Sequence, residues 1–404
     1  MNIITKTSET ELAGFSMVYY GSALNEHAPC QGMATGTRGL AHLFEHMGVN
    51  QYKHLFAEME SRGIYFNAST YDYKIVFYIH GLVDDILEIA PQICKLILSP
   101  LSADKGRFEA ERSVVIQEYK DKFINPRTAN INNFERKFLK YYGAIGALED
   151  LQNFPYEDAA GHYEHLFHSP DEIIIVAPPG IHESTYSDQI IESIAPFLGD
   201  VSVGPEFMTT DQRYDKMLTP TYNPKGYASE PLESSHSLDK TPIIYSWPLI
   251  PAEDAPAVVF LAELFGGSLE SPIYKEVREK RGLAYFCAAY VNPYGSKAMF
   301  MIDTMTSPDN HEEMNIAIRE AFDNAEQKIY DRFDQTINYV KKCRRKQEIN
   351  SYESLMTSTP MYSAYEAVEA GIDRETAVYI FMKYMHPSLA MVTHNSVSQG
   401  YLST

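Results

Sequence analysis

Leu40-Ala41-His42-Leu43-Phe44-Glu45-His46-Met47-Gly48 is the segment from which the rest of this chain is read. Slid along the sequence by 219 residues, His42–Gly48 falls on Leu261-Ala262-Glu263-Leu264-Phe265-Gly266-Gly267, and Arg62-Gly63 falls on Arg281-Gly282. In each half a helix of about twenty residues is expected to run into Arg-Gly and then into a hairpin of two apolar strands. The first hairpin pairs Ile64–Ser69 with Lys74–Gly81 around Tyr71-Asp72. The second pairs Leu283–Val291 with Ala298–Asp303 around Asn292-Pro293-Tyr294-Gly295. Both turns are rich in residues that favour a reversal of the chain. The competing reading is that two helix–hairpin units resemble each other by shared pattern alone. Either way the polar residues differ, because Leu261, Leu264 and Phe265 stand where the first copy has His42, Glu45 and His46. Any chemistry of that set is confined to the first half.

Working outward, strand-like runs alternate with long helical patterns in both halves, which predicts an α+β fold. It would be built from two homologous αβ domains, each with a mostly antiparallel sheet flanked by helices. The stretch 206–240 holds Pro220, Pro224, Gly226 and Pro231 with few apolar residues and no regular period, as a connector does. The expected organisation is therefore a first domain over 1–205 bearing the chemistry, a linker over 206–240 and a second domain over 241–404. A chain of 404 residues exceeds what one core usually serves.

Composition narrows the function. Thirty-four basic against fifty-four acidic residues give a net charge of −20, which repels phosphate backbones and anionic lipid and draws in cationic peptides. Nucleic acid and membrane are thus not expected partners. The four cysteines, Cys30, Cys94, Cys287 and Cys343, form no C-x-x-C pair, so neither a disulfide framework nor a thiolate zinc knuckle is indicated. With no apolar run of membrane-spanning length and a polar stretch from Met1 to Leu12, the expected location is cytoplasmic.

At 100° per residue, Leu40, Leu43, Phe44 and Met47 share one helical face, while His42, Glu45 and His46 cluster on the nearly opposite one. His42 and His46 are one turn apart, so both imidazoles can reach one ion, and Glu45 can touch a water there without being a ligand. The order H-x-x-E-H is that of the inverzincins. A catalytic zinc takes three protein ligands, so a third must come from elsewhere. Downstream, Ser102-Ala103-Asp104 is expected to open a helix on which Glu111 and Glu118, seven residues apart, share a face. Glu118 is the expected third ligand, and Glu111 the acid that holds a ligand histidine in its metal-binding tautomer.

These residues resemble the pitrilysin family of zinc peptidases, which includes the mitochondrial processing peptidases, over nearly the whole chain. The resemblance is carried by Gly39–Met47, by Asn67-Ala68-Ser69-Thr70, by Glu111–Glu118 and by Arg278-Glu279-Lys280-Arg281-Gly282-Leu283-Ala284-Tyr285. It implies a half-clamshell that hydrolyses extended peptides, with one zinc per subunit on His42, His46 and Glu118. Glu45 would be the general base, and Glu111 would support the site. It implies further that the strand at Asn67 and Ala68 pairs with the substrate backbone, and that Arg278 and Tyr285 hold the substrate and the developing oxyanion. Larger relatives carry four such domains in one chain, so the two seen here imply a homodimer whose partner subunit completes the site around a peptide or unfolded polypeptide. The chain departs from the family in the short run between Met47 and Arg62, which leaves 72 residues from His46 to Glu118. The alternative is a non-catalytic peptide-binding or structural subunit of such a complex, although a retired site would be expected to lose one of these residues.

Two other features are read as structural. His162, His165 and His168 lie at offsets that drift around a helix instead of converging. Lys341–Lys346 is read as a solvated basic face on a long helix.

Overall fold

The computed structural model describes residues 1–8, 10–20, 22, 26, 36–180, 183–198, 240–350, 362–394 and 400–401. These fall into two compact units. One holds Met1–Lys120, residues 142–198 and residues 347–350, and the other holds Asp121–Tyr141 with residues 240–346, 362–394 and 400–401. The expected linker 206–240 lies outside the described residues apart from Lys240.

The first unit is a five-stranded sheet of β1 (Asn2–Thr7), β2 (Ala13–Tyr20), β3 (Tyr65–Thr70), β4 (Lys74–Gly81) and β5 (Glu172–Ala177), in the order β1-β5-β2-β4-β3. Only β1 and β5 run parallel. The other neighbours are antiparallel, with Ala68 opposite Phe77 and Phe77 opposite Met17. The Ile173-Ile174-Ile175-Val176 run is buried on both faces, which suits an interior strand. β3 pairs only with β4 and so forms an edge of the sheet. On one face lie α1 (Leu40–Gln51), α2 (Val83–Leu98), α3 (Lys105–Lys122), α4 (Ala159–Phe167) and α5 (Glu183–Leu198). Leu40, Leu43, Phe44 and Met47 of α1 pack with Met17, Ile75, Phe77 and Ile79 of the sheet and with Phe108 and Val115 of α3. At about 25 cal/mol per Å² of apolar area, each such side chain contributes roughly 1.5–3 kcal/mol.

Two close approaches fix where α1 lies. A Cβ on Gly48 would come 2.8 Å from the Phe77 ring, so the helix meets β4 at a point that admits no side chain. At its start, Gly146 (φ +70°) crosses so near Gly39 that a Cβ would overlap that backbone. Arg38 holds the crossing in place: its carbonyl accepts from Ala147 N (3.1 Å), and its guanidinium grips Asp150 at 2.6 Å. The carboxyl group of Glu26 accepts the Gly39 and Ala41 N–H groups at the helix start; burial pushes its pKa up to about 8 against the lowering effect of these two bonds.

The second unit repeats the plan. Its strands β6 (Thr241–Pro251), β7 (Cys287–Tyr294), β8 (Lys297–Thr306), β9 (Met391–His394) and β10 (Gly400–Tyr401) form a sheet in the order β10-β9-β6-β8-β7, all antiparallel. Its helices include α6 (Ala255–Gly266), α7 (His311–Phe322) and α8 (Ala325–Asn350). β6, β8 and β7 correspond to β2, β4 and β3, and α6 to α1. This is the α+β architecture of paired αβ units that the repeat predicts.

Three local expectations need correction. The single long helix before Arg-Gly is broken in both units. Tyr52 ends α1, and after a turn a short helix, Phe56–Ser61, leads to Arg62; in the second unit a separate helical stretch, Lys275–Lys280, leads to Arg281. The second hairpin does not turn at Asn292–Gly295. Its strand continues through Pro293, which an edge strand tolerates, and reverses at Gly295-Ser296, where Gly295 takes φ +61°. Finally, Asp121–Tyr141 groups with the second unit and not with the first domain. Arg127 there pairs with the fully buried Asp303 and lies 3.8 Å from the centre of the Phe286 ring, while Tyr294 OH donates to Glu135 at 2.6 Å.

Candidate metal centre

The amphipathic reading of α1 holds, with one refinement. Leu40, Leu43, Phe44 and Met47 are fully buried, and the side chains of His42 and His46 are 17% and 19% exposed at the surface of a cleft. Glu45, on the same side, is itself buried. Burial raises its pKa above the usual carboxylate value; nearby His46 and the hydroxyl of Thr70, which donates to Oε2 at 3.1 Å, act in the opposite direction. The donor atoms of His42, Glu45 and His46 lie within 4.8 Å of one another, the one group of three or more such side chains among the described residues.

α3 supplies the remaining acids. Asp104 caps it by accepting from Arg107 N at 2.8 Å. Two turns apart on its inner side, Glu111 and Glu118 both face α1. One oxygen of Glu118, Oε2, lies 3.4 Å from His42 Nε2 and 3.8 Å from His46 Nε2. Glu111 Oε2 lies 3.5 Å from the other nitrogen of His46, Nδ1. Four-coordinate zinc with bonds of about 2.0–2.1 Å places neighbouring donors roughly 3.3–3.4 Å apart; the separation of His42 from Glu118 matches that spacing, and that of His46 from Glu118 is longer. Glu45 also brings a donor atom within 4.8 Å of those of both histidines, and its Oε2 already accepts from the Thr70 hydroxyl. The donor set of two neutral nitrogens and one carboxylate fits zinc.

Sequence spacing missed a supporting chain. Arg107 donates to Asn50 Oδ1 at 2.8 Å and lies 3.8 Å from Glu111 Oε1, and Asn50 Nδ2 donates to the His46 carbonyl at 3.1 Å. The signal was available, since Asn50 and Arg107 each stand four residues from a site residue on its own helix. The cleft has a volume of about 410 Å³ and is also lined by Tyr52, Phe56, Phe66, Asn67 and Ala68. Asn67 and Ala68 thus reach it from the edge strand β3, with the Asn67 amide donating to Tyr78 OH at 3.1 Å and its carbonyl accepting from Ala68 N at 2.9 Å.

Arg278 and Tyr285 belong to the second unit. The Arg278 guanidinium lies over the rings of Tyr285 (4.5 Å) and Tyr274 (5.1 Å), and Tyr285 is 79% exposed, so it is not a core residue. The three histidines near 165 do not make a second centre. His162 is buried against Phe44 and Phe154, which pushes its pKa down to about 4, while His165 and His168 are exposed.

Comparison with known proteins bears out the resemblance drawn from the motifs. Residues 187–338 match the family described as the Peptidase M16 inactive domain. An uncharacterized zinc protease of Rickettsia bellii is 24% identical over 307 residues, which is 69% of this chain. The match spans 66% of that relative, just under two thirds of its length. The fold is that of the peptidase M16 inactive domain from Pseudomonas fluorescens, with a TM-score of 0.70, 14% identity and coverage of 99% of this chain and 96% of that one. A chain of complex III2 from Candida albicans is similar too, with a TM-score of 0.69, 12% identity and coverage of 98% and 93%.

Proposed function

From the M16, pitrilysin-family domain that this chain carries, we propose that it is a zinc-dependent peptidase acting on extended peptides or unfolded polypeptide. His42, His46 and Glu118 hold the ion and Glu45 is the general base. The observation that carries this reading is the approach of both imidazole Nε2 atoms to one Glu118 oxygen, at 3.4 and 3.8 Å, beside the buried carboxylate of Glu45. When bound, zinc supplies Lewis acidity that acidifies water and polarises a carbonyl. Glu45 takes a proton from the attacking water and returns it to the departing amine. Glu111 holds His46 through Nδ1, so that Nε2 is left to bind. The open edge of β3 accepts an extended backbone by hydrogen bonds, which gives loose sequence selectivity.

Arg278 and Tyr285 act on a substrate bound to a second copy of the chain, in a homodimer whose partner completes the site. The exposure of Tyr285 supports that role. Mixing Glu45→Gln with Tyr285→Phe subunits tests it: two inactive proteins regain part of the activity if the site is shared, and no recovery after proven exchange contradicts it.

The second reading, a non-catalytic subunit, draws on the likeness to a chain of complex III2. A quenched-fluorescent peptide assay separates the two. A peptidase loses turnover with a chelator, regains it with zinc, and binds zinc without cleavage as Glu45→Gln. Chelator-insensitive cleavage, or turnover by Glu45→Gln, contradicts the mechanism. Zinc-free protein that binds peptides without cutting them supports the second reading.

A further inference from the structure

Thr70 is the last residue of β3, paired with Ile75 of β4, and its hydroxyl lies 3.1 Å from Oε2 of Glu45. A carboxylate only accepts, so the hydroxyl is the donor. Glu45 is 7% exposed, which leaves little solvent to orient its head group. The terminal torsion of a Glu side chain is soft and roughly two-fold, so a carboxylate without a fixed donor exchanges the positions of its oxygens. One donated hydrogen bond removes that freedom. It engages Oε2 and leaves Oε1 as the oxygen open to a proton.

We infer that Thr70 is a positioning residue for the proposed hydrolysis, its hydroxyl fixing the plane of the Glu45 carboxylate so that Oε1 meets the attacking water. The inference rests on the reading of Glu45 as general base. It also couples two parts of the site. Ala68 and Thr70 are two residues apart on β3 and share a face of the strand, with Asn67 and Ser69 on the other. The edge offered to a peptide backbone and the donor that aims the base therefore belong to one six-residue strand. A peptide that pairs along β3 is placed in register with a base oriented by the same strand. Geometry held to within a few tenths of an ångström is what catalytic groups require.

The test compares Thr70→Val, which keeps the β-branched shape suited to a strand, with Thr70→Ser, which keeps the hydroxyl. A hydrogen bond to a charged group is worth enough that kcat of Thr70→Val falls roughly 10- to 100-fold, with KM within about twofold. Zinc content stays at the wild-type level, and Thr70→Ser recovers kcat to within about threefold. Crystal structures of the zinc-loaded variants show the Glu45 carboxylate turned in the valine protein and unmoved in the serine protein. Wild-type kcat with an unmoved carboxylate in Thr70→Val overturns the inference. So does a Thr70→Ser protein as impaired as Thr70→Val, because packing by the methyl group would then be what matters. If the unmodified chain cleaves no peptide, the general-base reading fails, and the crystallographic comparison still decides whether Thr70 sets the carboxylate.

Discussion

Glu111→Gln removes one charge and keeps the shape of the side chain, which makes it a sharp probe of how the metal centre is held. In the native arrangement His46 is gripped from both sides, with Nδ1 3.5 Å from Glu111 Oε2 and Nε2 3.8 Å from Glu118 Oε2. The Glu111 side chain is 16% exposed, so its charge is less screened than a surface charge. In the proposed centre this carboxylate is the acceptor for Nδ1–H, which would fix the tautomer whose Nε2 carries the lone pair. A neutral amide accepts more weakly, can turn its NH2 toward the ring, and leaves Arg107, 3.8 Å from Oε1, without that counter-charge. Loss of such an outer partner costs about 10- to 100-fold in metal affinity, or roughly 1.4–2.7 kcal/mol. The assay is competition for zinc against a chromophoric chelator at constant pH, with thermal unfolding of the metal-free proteins as a control for folding. An affinity unchanged within about twofold refutes the reasoning, because Glu111 would then be a bystander.

Two further outcomes follow from buried groups outside the cleft. Burial holds the pKa of His162 down to about 4, against about 6.5 in an unfolded chain, so the unfolded state binds more protons between those values. The stabilising effect of keeping this ring neutral is intact above pH 6.5 and is lost as pH falls through 4, by at most about 3 kcal/mol. His162→Phe should flatten the acid limb of the stability profile over that window, and an unchanged slope in urea titrations contradicts the assignment. In the second unit, Arg127→Ala strands the buried carboxylate of Asp303. Unfolding free energy should fall by about 3 kcal/mol or more, with a smaller loss in Arg127→Met/Asp303→Leu; equal losses in the two proteins contradict it.

The shared faces that carry the candidate ligands were legible because helical periodicity is a property of consecutive residues. His42 and His46 share a side of α1, and Glu111 and Glu118 share a side of α3, whatever the tertiary fold. The repeat was legible for a similar reason, since α1–β3–β4 and α6–β7–β8 keep their order along the chain. Other features depend on partners distant in sequence. The burial of Glu45 comes from the packing of β3 against α1, and the role of Thr70 follows from that same contact. The break after α1 was obscured because the apolar pattern resumes just beyond it at Leu55, Phe56 and Met59, and the turn at Gly295-Ser296 because turn-favouring residues begin earlier, at Asn292. Pro293 looked like a turn residue, yet an edge strand leaves its missing N–H without consequence. The grouping of Asp121–Tyr141 with the second unit depends on Arg127–Asp303 and Glu135–Tyr294, pairs separated by well over a hundred residues.

The account depends most on whether the side chains of α1 and α3 bind an ion together. Equilibrium dialysis of the purified chain against zinc, with elemental analysis, measures this without reference to any substrate. We expect one ion per chain, removed by chelation, with affinity lowered at least about 100-fold in each of His42→Ala, His46→Ala and Glu118→Ala. No saturable zinc binding by the native chain, or equal binding by all three variants, contradicts it.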